Sequence, residues 1–183
     1  MSDIVYTGIF FDISDILQCW KDLKEREIGL PEIPEGGNVH AKHMTIQFRP
    51  DDAQVSSIPM GRKVKVRITG FAADLNAIAM SVDIVRCVGD DGSRYSKRDT
   101  SSLVDGIANP IPHITLWTAD GVPPKYSNEL LANGITEFES GCYISRPGYH
   151  TLRPGTYAWG TVGAYSSEGR FVSNITQKST SNE

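Results

Sequence analysis

The chain opens on β-branched and aromatic residues, "IVYTGIFF" at 4–11, which predict a strand. The rhythm then lengthens. Ile16, Leu17, Trp20 and Leu23 fall at the i, i+1, i+4, i+7 spacing of one buried helical stripe, with Ser14 as N-cap, Asp15 in the first turn and Gly29 past the end. After the Pro/Gly-rich "GLPEIPEGGN" the period shortens to two. In "KVKVRITGF" (63–71), Val64, Val66 and Ile68 alternate with Lys63, Lys65 and Arg67, the signature of a half-buried antiparallel strand. "AIAMSVDIV" (77–85) continues the alternation through Ile78, Met80, Val82 and Ile84. "DDGS" (90–93) predicts a turn, "RYSKRDTSS" (94–102) a polar, mobile loop, and "SNELLAN" a short helix ending at Asn133-Gly134. "YAWGTVGAYSSEGRFVSN" predicts a hairpin turning at Ser167-Glu168-Gly169. Strands outnumber helices, and the order before residue 86 is weakly echoed after 111. The expected class is α+β: one domain over residues 1–175 with two pseudo-related halves, then a flexible polar tail, 176–183.

The echo is sharpest between "AKHMTIQFRP" (41–50) and "IPHITLWTAD" (111–120). Each carries a histidine, one apolar residue and a threonine, and two of the chain's four histidines are spent on this pattern. On a strand, alternation places His43, Thr45, Gln47 and Arg49 on one face and Met44, Ile46 and Phe48 on the other. The second stretch puts His113, Thr115 and Trp117 opposite Ile114 and Leu116. Both strands thus predict an apolar face for the core and a polar face fit to wall a groove for an anion. Two imidazoles flanking a phosphorus, one neutral and one protonated, can take a proton from the attacking oxygen and give one to the leaving oxygen. Hydroxyls two residues along, on the same face, can donate to the non-bridging oxygens.

Charge narrows the partner. The net charge is −4, and Arg62, Lys63, Lys65 and Arg67 form the dense basic cluster. Proteins that hold long nucleic acids usually present a basic face, so a small anionic ligand fits this chain better than a duplex or a tRNA. Three scattered cysteines, Cys19, Cys87 and Cys142, form no CxxC spacing and fit a reducing cytoplasm. No apolar run approaches the roughly 20 residues that span a bilayer, and the first residues lack the basic region of a secretory signal. A membrane partner is therefore not expected. His40 and His43 are three apart, which on a strand sends them to opposite faces, and no HExxH or cysteine cluster accompanies them. Neither a metal nor a cofactor is expected.

The two His-x-Thr motifs, each bracketed by apolar residues, resemble those of the two-histidine phosphoesterase superfamily. The resemblance covers residues 40–118 and implies a bilobal α+β fold, antiparallel sheets with flanking helices around a central groove, one motif per lobe. It makes His43 and His113 the acid/base pair and Thr45 and Thr115 the phosphate-holding hydroxyls. The contexts "HAKHMTIQF", "PHITLW" and "GRKVKVRITGF" look most like phage anti-CBASS phosphodiesterases. That subgroup implies a 3′,5′-linked cyclic di- or oligonucleotide as substrate and a host cytoplasm as location. The same superfamily contains enzymes that process RNA ends bearing a 2′,3′-cyclic phosphate, and a non-catalytic nucleotide sponge would use the same groove. Three further residues are candidates for holding the base: Phe11 at the end of the first strand, Trp117 beside His113, and Glu139. The last lies in "ITEFESGCYISR" (135–146), which can lie over the groove as a lid. The sequence leaves the oligomeric state open.

Overall fold

A computed structural model describes residues 4–26, 29–89, 92, 94–137, 143–146, 149–152 and 155–173. The chain runs β1 (Ile4–Phe10), α1 (Ile13–Arg26), β2 (Asn38–Val39), β3 (His43–Phe48), α2 (Asp52–Ser57), β4 (Lys63–Ala73), β5 (Ala77–Val88) and β6 (Tyr95–Ser96). It continues α3 (Lys97–Asp105), β7 (His113–Thr118), α4 (Tyr126–Asn133), β8 (Thr136–Glu137), β9 (Tyr143–Arg146), β10 (Tyr149–Leu152), β11 (Thr156–Ser166) and β12 (Phe171–Val172).

Ten of these strands form one antiparallel sheet, eight of them in the order β12-β11-β1-β3-β7-β5-β4-β8, with β2 paired to β7 and β6 to β5. β11 pairs with β1 along its second half and with β4 along its first, so the sheet closes into a barrel-like form. The expected picture of two lobes, each with its own sheet, gives way here: β3 and β7 are neighbours in one sheet. The long strands β4 and β5 bind the halves together through period-two runs of inward residues, 64–68 on β4 and 78–82 on β5. Val64, Val66, Ile68, Ile78, Met80 and Val82 are all at most 2% exposed and pack with Ile16, Trp20 and Leu23 of α1 and Leu103 of α3. A smaller apolar cluster forms on the other side of the sheet, where Leu130 and Leu131 of α4 cover Ala72, Ala77 and Ala79.

Local chemistry corrects two expectations and adds a helix. α1 begins one residue before Ser14, and Asp12 caps it, its carboxylate accepting from the Ser14 amide at 2.8 Å. The polar stretch 94–102 is largely helix, not loop: the Ser96 hydroxyl caps α3 by accepting from the Asp99 amide at 3.1 Å, and Leu103 anchors it in the core. α2, which the sequence reading did not predict, opens on a capping box, Asp51 and Gln54 satisfying each other's backbone amides at 2.7 and 2.9 Å. The predicted tail, 176–183, lies outside the described residues, as does Glu139.

Closure places one glycine under tight constraint. Gly160 sits where β11 passes from β4 to β1, and a Cβ there would lie 2.4 Å from the Ile9 side chain and 2.9 Å from the Phe10 carbonyl. Gly160→Ala is expected to cost about 1–3 kcal/mol of stability, the usual range for overpacking a core. Urea unfolding measures it, and a neutral result would mean that the strands do not close here.

Candidate active site

The site is built at the middle of the sheet. Met44 of β3 stands opposite Ile114 of β7 in an antiparallel pair, and both are 0% exposed, pointing into the core. Their flanking residues must then point to the other face: His43 and Thr45 on one strand, His113 and Thr115 on its neighbour. Antiparallel pairing brings each histidine beside the other strand's threonine. The two sequence motifs thus become one constellation with local two-fold character.

A bulge prepares this arrangement. β2 pairs with β7 at Val39–Trp117, but the pairing resumes only at Met44–Ile114, so the first chain has extra residues to accommodate. Ala41 absorbs them at φ 48°, with its amide donating to the Thr115 carbonyl at 2.8 Å. His40, inside this irregular segment, is held by a 2.9 Å hydrogen bond between its Nε2 and the Thr118 hydroxyl.

Each member of the quartet has its own support. His113 is buried, and its Nδ1 lies 2.8 Å from the Ile111 carbonyl. A carbonyl only accepts, so Nδ1 carries the proton and Nε2 of the neutral ring does not. Thr115 donates its hydroxyl hydrogen to the fully buried Ser127 of α4 at 2.9 Å, which fixes its rotamer. His43 is half-buried and stacked on the Tyr6 ring, centroids 4.8 Å apart, with Phe10 at 5.8 Å. Thr45 faces Gly8 across β1, where a Cβ would meet the Met44 carbonyl at 2.7 Å. That glycine keeps the floor beside Thr45 open.

Burial governs the protonation of both imidazoles. It is the largest cause holding His43 down at about 4, followed by the charges of His40, His113 and Lys42. Burial also lowers His113, while its bond to the Ile111 carbonyl pulls in the other direction. Both rings are therefore neutral near pH 7 in the free protein, and an incoming phosphate anion would restore their affinity for a proton. Tyr6, buried beside Tyr165, is pushed up to about 12 and stays a neutral phenol.

The base-holding candidates fall differently. Phe11 is 8% exposed and belongs to the main core. Alternation gives its neighbour Phe10 the groove face, opposite His43, and Tyr6 joins it there. Trp117 is 5% exposed with its ring N–H donating to the Gly36 carbonyl at 2.7 Å. The pairing of β5 with β7 slips between Ile78 and Ala79, and this irregularity turns Trp117 into the core, away from the face of His113. Phe48, expected inward, is 58% exposed under the Arg49 guanidinium. Sequence reasoning missed Tyr6, Phe10 and Ser127. The alternation Tyr6, Gly8, Phe10 in the first strand carried the signal for two of them, whereas nothing local marks Ser127. Among the described residues, no group of three or more His, Cys, Asp or Glu side chains converges to hold a metal, and no helix is long and apolar enough to cross a membrane.

A model of the fungal tRNA ligase phosphodiesterase domain family matches residues 19–145, more than half of the chain and both motifs. The chain belongs to that family. It is thereby a member of a phosphodiesterase family, related to the two-histidine enzymes its motifs resemble, and nothing in the match points to the phage anti-defence subgroup. A crystal structure of a fungal RNA kinase superposes with a TM-score of 0.51 at 13% identity, over 93% of this chain. The chain spans only 44% of that protein, and at this identity the likeness concerns the fold alone. No curated protein sequence matches the chain.

The depressed His43 has a consequence for stability. Its folded value lies below the ordinary 6.5, so the unfolded chain takes up the proton first as pH falls. Stability from this group is complete above pH 6.5 and is lost progressively down to about 4, amounting to up to about 3 kcal/mol. Urea midpoints measured between pH 7 and 4.5 are expected to fall less steeply for His43→Gln than for the wild type. Parallel curves would contradict the buried, neutral imidazole.

Proposed function

We propose that this protein opens 2′,3′-cyclic phosphates at RNA ends, adding water across the ring to leave a terminal phosphomonoester. The observation that carries the reading is the quartet His43, Thr45, His113 and Thr115 on adjacent strands of a chain belonging to a tRNA ligase phosphodiesterase family. The substrate already holds its phosphorus in a ring, so the nucleophile is water. One imidazole removes its proton, and the other delivers a proton to the ribose oxygen that leaves. The threonine hydroxyls donate to the non-bridging oxygens, where charge grows in the transition state. Thr115 does so by exchanging roles with Ser127: its hydroxyl hydrogen turns to the phosphate, and the Ser127 hydroxyl, the acceptor in the free protein, then donates to Thr115.

The environments support one assignment of roles. His43 holds its proton least, so it enters as the base. His113 keeps a proton longer because the Ile111 carbonyl supports it, and it enters as the acid through Nε2. Phe10 and Tyr6 wall the site on the His43 side and offer faces for the terminal base.

Four measurements follow from this chemistry. On an oligoribonucleotide with a 2′,3′-cyclic end, His43→Ala and His113→Ala should each lose about 10²–10⁴-fold in turnover while remaining folded. Near-wild-type turnover by either variant would sink the paired mechanism. Thr45→Val and Thr115→Val should lose less. The profile of kcat/KM should be a bell with its optimum displaced below pH 6.5, since both histidines are lowered in the free protein and this ratio reports the free enzyme. An optimum above neutrality contradicts the assignment. The proposed steps call on no metal, so activity should survive EDTA; a loss restored by a divalent ion overturns them. A 3′,5′-linked cyclic dinucleotide serves as the comparison substrate. Preferential cleavage of that ring would reinstate a cyclic-oligonucleotide phosphodiesterase, and tight binding without cleavage of either compound would indicate a sponge.

A further inference from the structure

The face that carries the histidines continues past its aromatic wall. His43 stands opposite Phe10, Phe10 opposite Thr161, and Thr161 opposite Lys63. This row crosses four strands, about 14 Å along the sheet at about 4.8 Å for each step. Further along β11, on the same side by alternation, come Trp159 and Tyr157, paired with Lys65 and Arg67. β5 adds Arg86 opposite Lys65. The two rings are 44% and 42% exposed. Lys65 Nζ lies 4.2 Å from the centre of Tyr157, and the Arg86 guanidinium 5.4 Å from that of Trp159. Trp159, Arg62, Lys63, Val88 and Gly89 also line an open depression of about 500 Å³. Asp83 pairs with Arg67 at 2.9 Å and offsets one of these charges.

Composition makes this strip unusual. The chain carries a net charge of −4, yet Lys63, Lys65 and Arg86 gather on one surface around two open aromatic rings. Exposed rings interleaved with cations are how proteins hold single-stranded nucleic acid without reading its sequence: bases stack on the rings and phosphates meet the cations. A lipid surface would call for apolar side chains at a rim, and a protein partner for a buried apolar centre. We propose that this strip binds the single-stranded RNA leading into the cyclic end, with Trp159 and Tyr157 stacking on bases and Lys63, Lys65 and Arg86 contacting phosphates. The inference rests on the RNA-end reading and adds to it a second site that separates an oligonucleotide from a mononucleotide.

The test compares a nucleoside 2′,3′-cyclic monophosphate, a short oligoribonucleotide with the same end, and that oligoribonucleotide with a plain 3′-hydroxyl. Wild-type kcat/KM should be higher on the cyclic oligoribonucleotide than on the mononucleotide. Trp159→Ala should remove about tenfold on the oligoribonucleotide, through KM, and leave the mononucleotide unchanged. Lys65→Gln should flatten the logarithmic salt dependence of oligoribonucleotide binding by about 0.7. Independently of turnover, the 3′-hydroxyl strand should quench the wild-type tryptophan fluorescence, and Trp159→Tyr should abolish the quench, because the other two tryptophans, Trp20 and Trp117, are buried. Equal wild-type activity on both cyclic substrates without quenching would overturn the strip while leaving the reaction standing. Equal losses on both substrates in Trp159→Ala would reduce Trp159 to a structural role and overturn it too. Quenching by the 3′-hydroxyl strand with neither cyclic end opened would keep the strip and remove the reaction.

Discussion

The pairing of Met44 with Ile114 is the constraint on which the site depends. Two fully buried side chains face each other across adjacent antiparallel strands, and the backbone then has no choice about their neighbours. A slip of one residue in either strand would send a histidine into the core and a methionine or isoleucine into the groove. The cost of burying an unpaired imidazole, added to the loss of apolar burial, makes that slip unfavourable. The energy that holds this geometry is thus ordinary hydrophobic energy, applied from the opposite face of the sheet. The bulge at Ala41 has the same meaning: it lets the loop before β3 arrive without dragging the register with it.

Chemistry at this site follows from how dry it is. Two histidines share a partly buried face, and desolvation sets both below their ordinary affinity for protons. In the free protein they are neutral, which costs little. An arriving phosphate supplies the charge that makes a proton on one of them worth keeping. On the proposed reading, the site becomes acid and base together only when substrate is present. Ser127 and the Ile111 carbonyl contribute by orientation, fixing the Thr115 hydroxyl and the tautomer of His113 before any substrate enters.

Much of this was legible in the residues. The period-two runs at 63–71 and 77–85 announced the two long strands, and the stripe Ile16, Trp20, Leu23 announced α1, because burial on one face writes itself directly into spacing. The His-x-Thr echo located the quartet for the same reason. What escaped reading was contextual. α3 hid in a polar run, since its stability comes from the Ser96 cap and one buried leucine. Phe11 and Trp117 looked like base-stacking residues, but alternation and a register slip, invisible without the neighbouring strands, turn them into the core. That the two motifs share a single sheet also lay beyond local patterns, since the pairing of β3 with β7 spans distant parts of the chain.

The claim at the centre of this account is that His43 and His113 occupy one electrostatic site. Following each imidazole by NMR as pH is varied tests it directly, first in the wild type and then in His113→Asn. His43 should titrate near 4 in the wild type. It should rise when the neighbouring charge is removed, and both histidines should rise when a nucleoside monophosphate is added. Two independent titrations, unmoved by the substitution and by the ligand, would contradict the account.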